Sequence, residues 1–241
     1  MALSTDVDLD RTAVIQKLID KKQAQTYLEI GVNRGRCFLK IKAPYKIAVD
    51  PRFLIPAQKK FRYFLKNPSN FNNHYFEQTS DGFFESEGAL LKRKPLDIAF
   101  IDGLHTYEQS LKDVINTLKF LKDGGVIVVH DCNPLTEAAA YPAESLEHAE
   151  SMNLDGWESD WSGDVWKAIV ALRASREDLN VFVLDCDHGL GIITRSKPET
   201  RLKFSEDEVA GLSYKDFTEN RDDFLNLKGP AYFQDFLRNL A

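Results

Sequence analysis

Cysteine is scarce in this chain. Its three cysteines, Cys37, Cys132 and Cys186, are odd in number and far apart, which excludes a disulfide framework and a zinc knuckle and fits reduced thiols. Long hydrophobic runs are missing. The longest, Ala168–Leu172, falls far short of the ~20 residues that span a bilayer. The first residues, Met1 to Asp8, show no basic stretch followed by an apolar one, so no secretory leader is visible and a cytoplasmic protein is expected. A cationic excess is absent too. With a net charge of −6, the chain as a whole has no general attraction for nucleic acid or an anionic membrane, and neither is expected as a partner. Thirteen glycines and nine prolines are too few for a collagen-like or low-complexity chain, and no internal repeat or linker is visible.

What remains is an ordinary globular composition, 43% hydrophobic and 28% charged, over 241 residues. That length fits one large α/β domain carrying an insert or tail. Val14, Ile15, Leu18 and Ile19 recur at helical spacing within Asp10 to Lys22. Short runs at 27–30 and 46–49 read as strands, 97–101 and 126–129 as strands buried on both faces, and 74–77 as a further strand. Leu111, Val114, Ile115, Leu118 and Leu121 mark a helix that Gly124-Gly125 should end. A second helix around 165–172 has Asp164 as its expected cap. Strands at 181–184 and 190–194 close the pattern, and a charged helical tail starts near 205. Residues 132–163 form a polar insert, long enough to be a functional lid or acceptor wall. Strands alternating with helices predict a Rossmann-like, doubly wound α/β fold in a single domain, with ligands beyond the carboxyl ends of the strands.

Those strand ends are all glycine or polar. The first reads Glu29-Ile30-Gly31-Val32-Asn33-Arg34-Gly35, whose two glycines allow close backbone approach to a ligand, the second opening a helix. Asp50 ends the next strand, 21 residues after Glu29, where a carboxylate can accept both ribose hydroxyl protons. Neither Gly-x-Gly-x-x-Gly nor a Walker motif is present, and Glu29 would repel a phosphate while accepting an ammonium. A nucleoside with a zwitterionic end, S-adenosylmethionine, fits better than NAD or ATP. Glu29, Gly31, Asn33, Gly35 and Asp50 are therefore candidate cofactor residues. Thr79-Ser80-Asp81-Gly82 is the candidate adenine segment, with Ser80 and Asp81 contributing, unless it is a plain solvated turn.

Leu28 to Gly35 resembles the first motif of class I S-adenosylmethionine-dependent methyltransferases, and Val49-Asp50 their second. Ile101-Asp102-Gly103-Leu104-His105-Thr106-Tyr107-Glu108 and Gly124 to Pro134 resemble a small-molecule subgroup, macrocin- and cephalosporin-hydroxylase-like, that contains sugar O-methyltransferases. The resemblance runs from about Tyr27 to Asp131. It implies a seven-stranded, mostly parallel sheet with one antiparallel strand near the C-terminus. It also implies a small-molecule acceptor, glycosidic in kind, and is compatible with a homo-oligomer.

Asp102 and Asp131 end adjacent buried strands, and two hard carboxylates there suit Mg²⁺ or another divalent cation. His130 is a further candidate ligand, although imidazole shifts the preference toward transition metals. The alternative is that Asp131 caps a loop and His130 is a packed histidine. Asp102 is placed at the cofactor and the chemistry alike. His105, three residues beyond it, has an ordinary pKa suited to accepting a hydroxyl proton, and the resemblance assigns it the role of general base. Lys59 to Lys66 reads as a solvated amphipathic helix, and Trp157, Trp161 and Trp166 as lid, acceptor wall or core. Two other readings stay open: an NAD-dependent oxidoreductase on the same kind of sheet, and a non-catalytic nucleoside-binding domain.

Overall fold

Seven short runs of residues pair into a single sheet in the computed structural model, which describes residues 9–240; the reading of Met1 to Asp8 lies outside the described residues. The strands are β1 (Thr26–Ile30), β2 (Tyr45–Asp50), β3 (Asn73–Glu77), β4 (Leu96–Ile101), β5 (Leu121–Val129), β6 (Leu179–Leu184) and β7 (Leu190–Arg195). Their order is β3-β2-β1-β4-β5-β7-β6. β1 to β5 are parallel, and β7 runs antiparallel to both β5 and β6. The chain order reverses between β1 and β4, so their carboxyl ends open the crevice in which such sheets bind ligands.

Strand alternation gives the sheet two apolar faces. Leu28, Ile30, Ile47 and Val49 point to one, against α5 (Tyr107–Leu118), α7 (Trp166–Ser175) and α9 (Tyr214–Leu225). Tyr27, Ala48, Phe100 and Val128 point to the other, against α1 (Arg11–Lys22) and α10 (Tyr232–Asn239). The tail is thus part of both core layers. Arg173 fastens it: the buried guanidinium donates to the carbonyls of Asp223 and Phe224 at the end of α9, where a cation meets the negative end of the helix dipole. No helix among the described residues is long and apolar enough to cross a membrane.

Three local expectations change. The helix ends at Leu118, and Gly124-Gly125 lie inside β5. Gly124 adopts φ +74°, and the pairing of β4 with β5 shifts register between Leu96 and Ile98, so these glycines shape an irregular strand. Asp164 does not cap α7, which starts at Trp166 with no side-chain cap. Its carboxylate instead accepts from the Tyr107 N–H at 2.7 Å, at the start of α5. Residues 33–40, where Gly35 was expected to open a helix, form successive turns.

Candidate active site

A cavity of about 850 Å³ opens beyond the carboxyl ends of β1, β2, β4 and β5. That volume suits a nucleoside together with a small second ligand. Gly31, at φ +85°, forms its floor beside β4; a Cβ there would lie 1.8 Å from the Asp102 carbonyl oxygen, so no other residue fits. Asp50 lines the same wall. Its two carboxylate oxygens accept the N–H groups of Asn33 and Arg52, each at 2.7 Å, which aims the carboxylate and shapes the loop after β1. Opposite stand Thr79, Ser80 and Asp81 at the start of α3 (Ser80–Ser86), and Gln109, which donates to Ser80 Oγ at 3.1 Å and to Asp113 at 2.9 Å. Burial pushes the Asp113 carboxyl up to about 6.

The other end of the cavity is ionic. Asp102 follows β4, with its N–H bonded to the Ile30 carbonyl. His130 and Asp131 follow β5, and Asp131 holds a left-handed backbone at φ +59°, which costs an ordinary residue roughly 1–3 kcal/mol. His130 Nδ1 lies 2.6 Å from Asp131 Oδ2 and 3.1 Å from Asp102 Oδ1. His105 Nε2 lies 3.4 Å from both Asp102 Oδ1 and Asp131 Oδ2. From the far side Arg11, the first residue of α1, reaches Asp102 at 3.0 Å and grips Asp187 through Nε, Nη2 and its own backbone N–H. Asp187 belongs to the β6–β7 turn. Three acids therefore face Arg11 and two imidazoles.

These contacts set the charge states. Burial opposes a charge on His105, but Asp131 and Asp102 outweigh it and push the imidazole up to about 9. His130 is likewise raised well above the usual imidazole range, since burial is again overridden by Asp102 and Asp131. Burial opposes ionisation of Asp102, yet His130 and His105 hold its carboxyl far below the usual range; Asp131 is held down in the same way. Without a competing cation, His105 carries a proton near neutral pH. This departs from its ordinary pKa, on which the expectation of a ready base rests.

The insert closes over this end. His105 Nδ1 donates to the Trp161 carbonyl at 2.6 Å, and the two rings stand 5.3 Å apart. Ser162 Oγ donates to Asp131 Oδ1 at 3.1 Å. Gly163, at φ +57°, lies so close that a Cβ would sit 1.8 Å from the His105 carbonyl oxygen. Ser145, Leu146 and Glu147, at and beyond the N-cap of α6 (Leu146–Ser151), line the rim.

Of the residues singled out in the sequence, Gly31, Asn33, Asp50, Ser80, Asp81, Asp102, His105, His130 and Asp131 line the cavity. Glu29 and Gly35 do not. Strand alternation turns Glu29 to the opposite face of the sheet, where it accepts from the Tyr27 hydroxyl and the Phe38 N–H, so it is not placed to receive an ammonium in the cavity. Gly35 packs against Ile55 and Leu39. Trp166 is core, stacked near Phe217 and Phe224, and only Trp161 of the three tryptophans reaches the cavity. Arg11 and Asp187 escaped the sequence reading, because nothing in a helix N-terminal arginine or a turn aspartate signals a partner 176 residues away.

The donor chemistry fits a nucleoside at one end: a glycine cradle, an aimed carboxylate and a polar segment after β3. Residues 28–132 match the family model described as a methyltransferase domain. Over that segment the chain is similar to a methyltransferase domain. The NAD-dependent alternative gives way to that match. No curated protein matches the chain. Among solved structures the chain is similar in fold to cofactor-bound Rv0187 from MTB, at 11% identity over 80% of this chain and 83% of that one, TM-score 0.53. It is likewise similar to PaMTH1 of Podospora anserina, a methyltransferase bound to S-adenosylhomocysteine, at 15% identity over 78% of each chain, TM-score 0.54. A third is TomG of Streptomyces achromogenes, an O-methyltransferase of tomaymycin synthesis in complex with S-adenosylmethionine, at 14% identity over 76% of this chain and 78% of that one, TM-score 0.51. In all three the likeness is one of fold.

Proposed function

We propose that this methyltransferase alkylates a hydroxyl oxygen of a small polar acceptor, a sugar hydroxyl, with His105 as the group that handles the hydroxyl proton. S-adenosylmethionine, when bound, supplies an electrophilic methyl group. Gly31, Asn33, Asp50, Ser80 and Asp81 would hold it, with Asp102 at the boundary between cofactor and acceptor. The observation that carries the reading is the convergence of Asp102, His105 and Asp131, whose donor atoms lie within 4.8 Å of one another at the end of the cavity away from Asp50. Proton acceptors concentrated there suit an acceptor that must lose a proton, as an alcohol does on methylation. Trp161 beside these carboxylates offers a flat apolar wall next to hydrogen-bond acceptors, which is sugar-binding chemistry.

Two carboxylates and an imidazole are also an acceptable donor set for a divalent cation. Asp102 and Asp131 would be its ligands, with His130 beside them, so that His105 Nε2 stays free for the acceptor; such a cation would supply positive charge to the acceptor oxygens. It would compete with the imidazole protons for the same carboxylates and so favour neutral histidine.

The test pairs calorimetry with a methyl-transfer assay on polyhydroxylated small molecules. S-adenosylhomocysteine should bind, label should pass to an alkali-stable ether, and chelator should depress turnover until Mg²⁺ or Mn²⁺ is restored. His105→Ala should cut kcat about 10²-fold or more at unchanged cofactor affinity. Label recovered on nitrogen would defeat the oxygen assignment. Turnover unaffected by excess chelator would remove the cation alone. Binding without transfer to any acceptor would favour the non-catalytic reading.

A further inference from the structure

Ten large apolar side chains stay exposed among the described residues, and they are not scattered. Six lie between Leu54 and Tyr75, three between Leu135 and Met152, and the tenth, Leu104, lines the cavity. The two groups differ in charge. From Arg34 to Lys66 the chain holds ten lysines and arginines and a single carboxylate, Asp50. From Asn133 to Trp166 it holds eight acids and no lysine or arginine. The net charge of −6 conceals both.

The basic group is built on α2 (Ala57–Lys66), whose apolar stripe faces outward. Phe61 and Leu65 are 66% and 69% exposed, while Tyr63 turns toward the core. Phe64 stacks against Phe71, itself 65% exposed, and so widens the stripe. Arg62 and Lys66 flank it at helical spacing. Lys46 is buried, its ammonium donating to the Phe38 and Ile41 carbonyls and to Asn70; none of the other nine bases forms an ion pair among the described residues. Their crowding shows at Lys59, whose ammonium is destabilised by burial and by Arg36, Lys40 and Arg34. On the insert Asp160 pairs with His188 and Asp164 with Lys167, which leaves Glu137, Glu144, Glu147, Glu150, Asp155 and Glu158 without an ion-pair partner among the described residues. Leu135, Leu146 and Met152 are exposed among them.

We infer that the two surfaces are halves of one contact, the basic, apolar face of α2 in one copy seating against the acidic insert of a second copy. Each surface has what the other lacks: unpaired charge of opposite sign around exposed apolar side chains. Two α2 faces would repel one another, so a contact of like with like is excluded by charge. A contact between unlike faces closes into a reciprocal pair or ring, or runs on as a filament. Both faces border the cavity: Arg36 and Pro51 line it on the basic side, Leu146 and Glu147 on the acidic side. Assembly therefore meets the molecule at the entrance to its site.

Sedimentation velocity of the full chain tests this from about 1 to 100 µM, the range in which modest interfaces exchange. At low salt the mass should rise with concentration, and raising the salt about tenfold should return the monomer, because screening removes exposed charge pairs. Arg62→Glu with Lys66→Glu, and separately Glu144→Lys with Glu150→Lys, should each abolish assembly. Mixed together, the two variants should associate, since both contacts between unlike variants are complementary, one as in the wild type and one with both charges reversed. A wild type that stays monomeric at low salt overturns the proposal without any variant. So does assembly that survives both reversals. Binding of α2 to anionic phosphatidylglycerol vesicles, with no self-association, would assign the face to lipid and overturn it as well.

Discussion

Both oxygens of Asp50 already accept a backbone N–H, from Asn33 and Arg52, so the carboxylate reaches the cavity with its direction fixed before any ligand arrives. Replacing it with alanine removes two charge-assisted acceptors from a ribose and loosens the loop that carries Asn33. Asp50→Ala should weaken S-adenosylhomocysteine binding by about 1.5–3 kcal/mol, measured by calorimetry. Glu29 makes the contrasting case. Burial pushes its carboxyl up to about 8, against the smaller opposing effect of the Tyr27 hydroxyl. Between about pH 5 and 8 the unfolded chain has released this proton and the folded chain keeps it, so this group's contribution to stability is lost as the pH rises toward 8. Glu29→Gln should remove that part of the slope: the variant gains on the wild type in denaturant midpoint from pH 5 to pH 8. An identical difference at both ends would show that Glu29 is ionised throughout. The sequence placed Glu29 in the site because it stands two residues before Gly31; the period of two in β1 turns it to the other face. The residues at strand ends were legible because topology alone delivers them to one edge. Arg11 and Asp187 were not, because their meeting depends on how α1 and the β6–β7 turn come together.

Among the elements, the insert changes meaning most between sequence and structure. Its length and polarity marked it as functional, but its hold on His105 is made by backbone: the Trp161 carbonyl and the close approach of Gly163. Carbonyls leave no sequence signature. Gly163→Ala must displace either the insert or the segment carrying His105, at a left-handed φ that alanine resists. Methyl transfer should fall about tenfold or more, with S-adenosylhomocysteine affinity close to wild type. A matching loss of cofactor affinity would show that the insert supports the whole cavity and not the acceptor end alone. Gly124-Gly125 is the opposite lesson. A helix end and a strand irregularity both call for a residue tolerant of positive φ, so the dipeptide could not by itself tell which it served.

At the scale of the whole molecule, two apolar layers sandwich the sheet, and the tail contributes Phe217 and Phe224 to one and Phe233 to the other. The sequence marks a charged helical tail but not the layer to which each of these side chains belongs. Arg173 is the bolt between α7 and α9, and methionine in its place leaves the Asp223 and Phe224 carbonyls without their donor. Arg173→Met should lower the denaturant midpoint by an amount corresponding to roughly 1–3 kcal/mol, the cost of leaving buried carbonyls without a donor, while cofactor binding in the folded fraction stays intact. A loss below about 1 kcal/mol would show that the tail is held by its aromatic contacts alone.

Under the proposed reaction, the bond from His105 Nδ1 to the Trp161 carbonyl also makes the insert a gauge of acceptor size. A bulky acceptor that enters and keeps the insert from settling leaves the imidazole without its Nδ1 partner and free to turn. Such a molecule occupies the cavity and goes unreacted. Discrimination by size then registers in kcat more than in KM, and oversized analogues of the true acceptor act as competitive inhibitors.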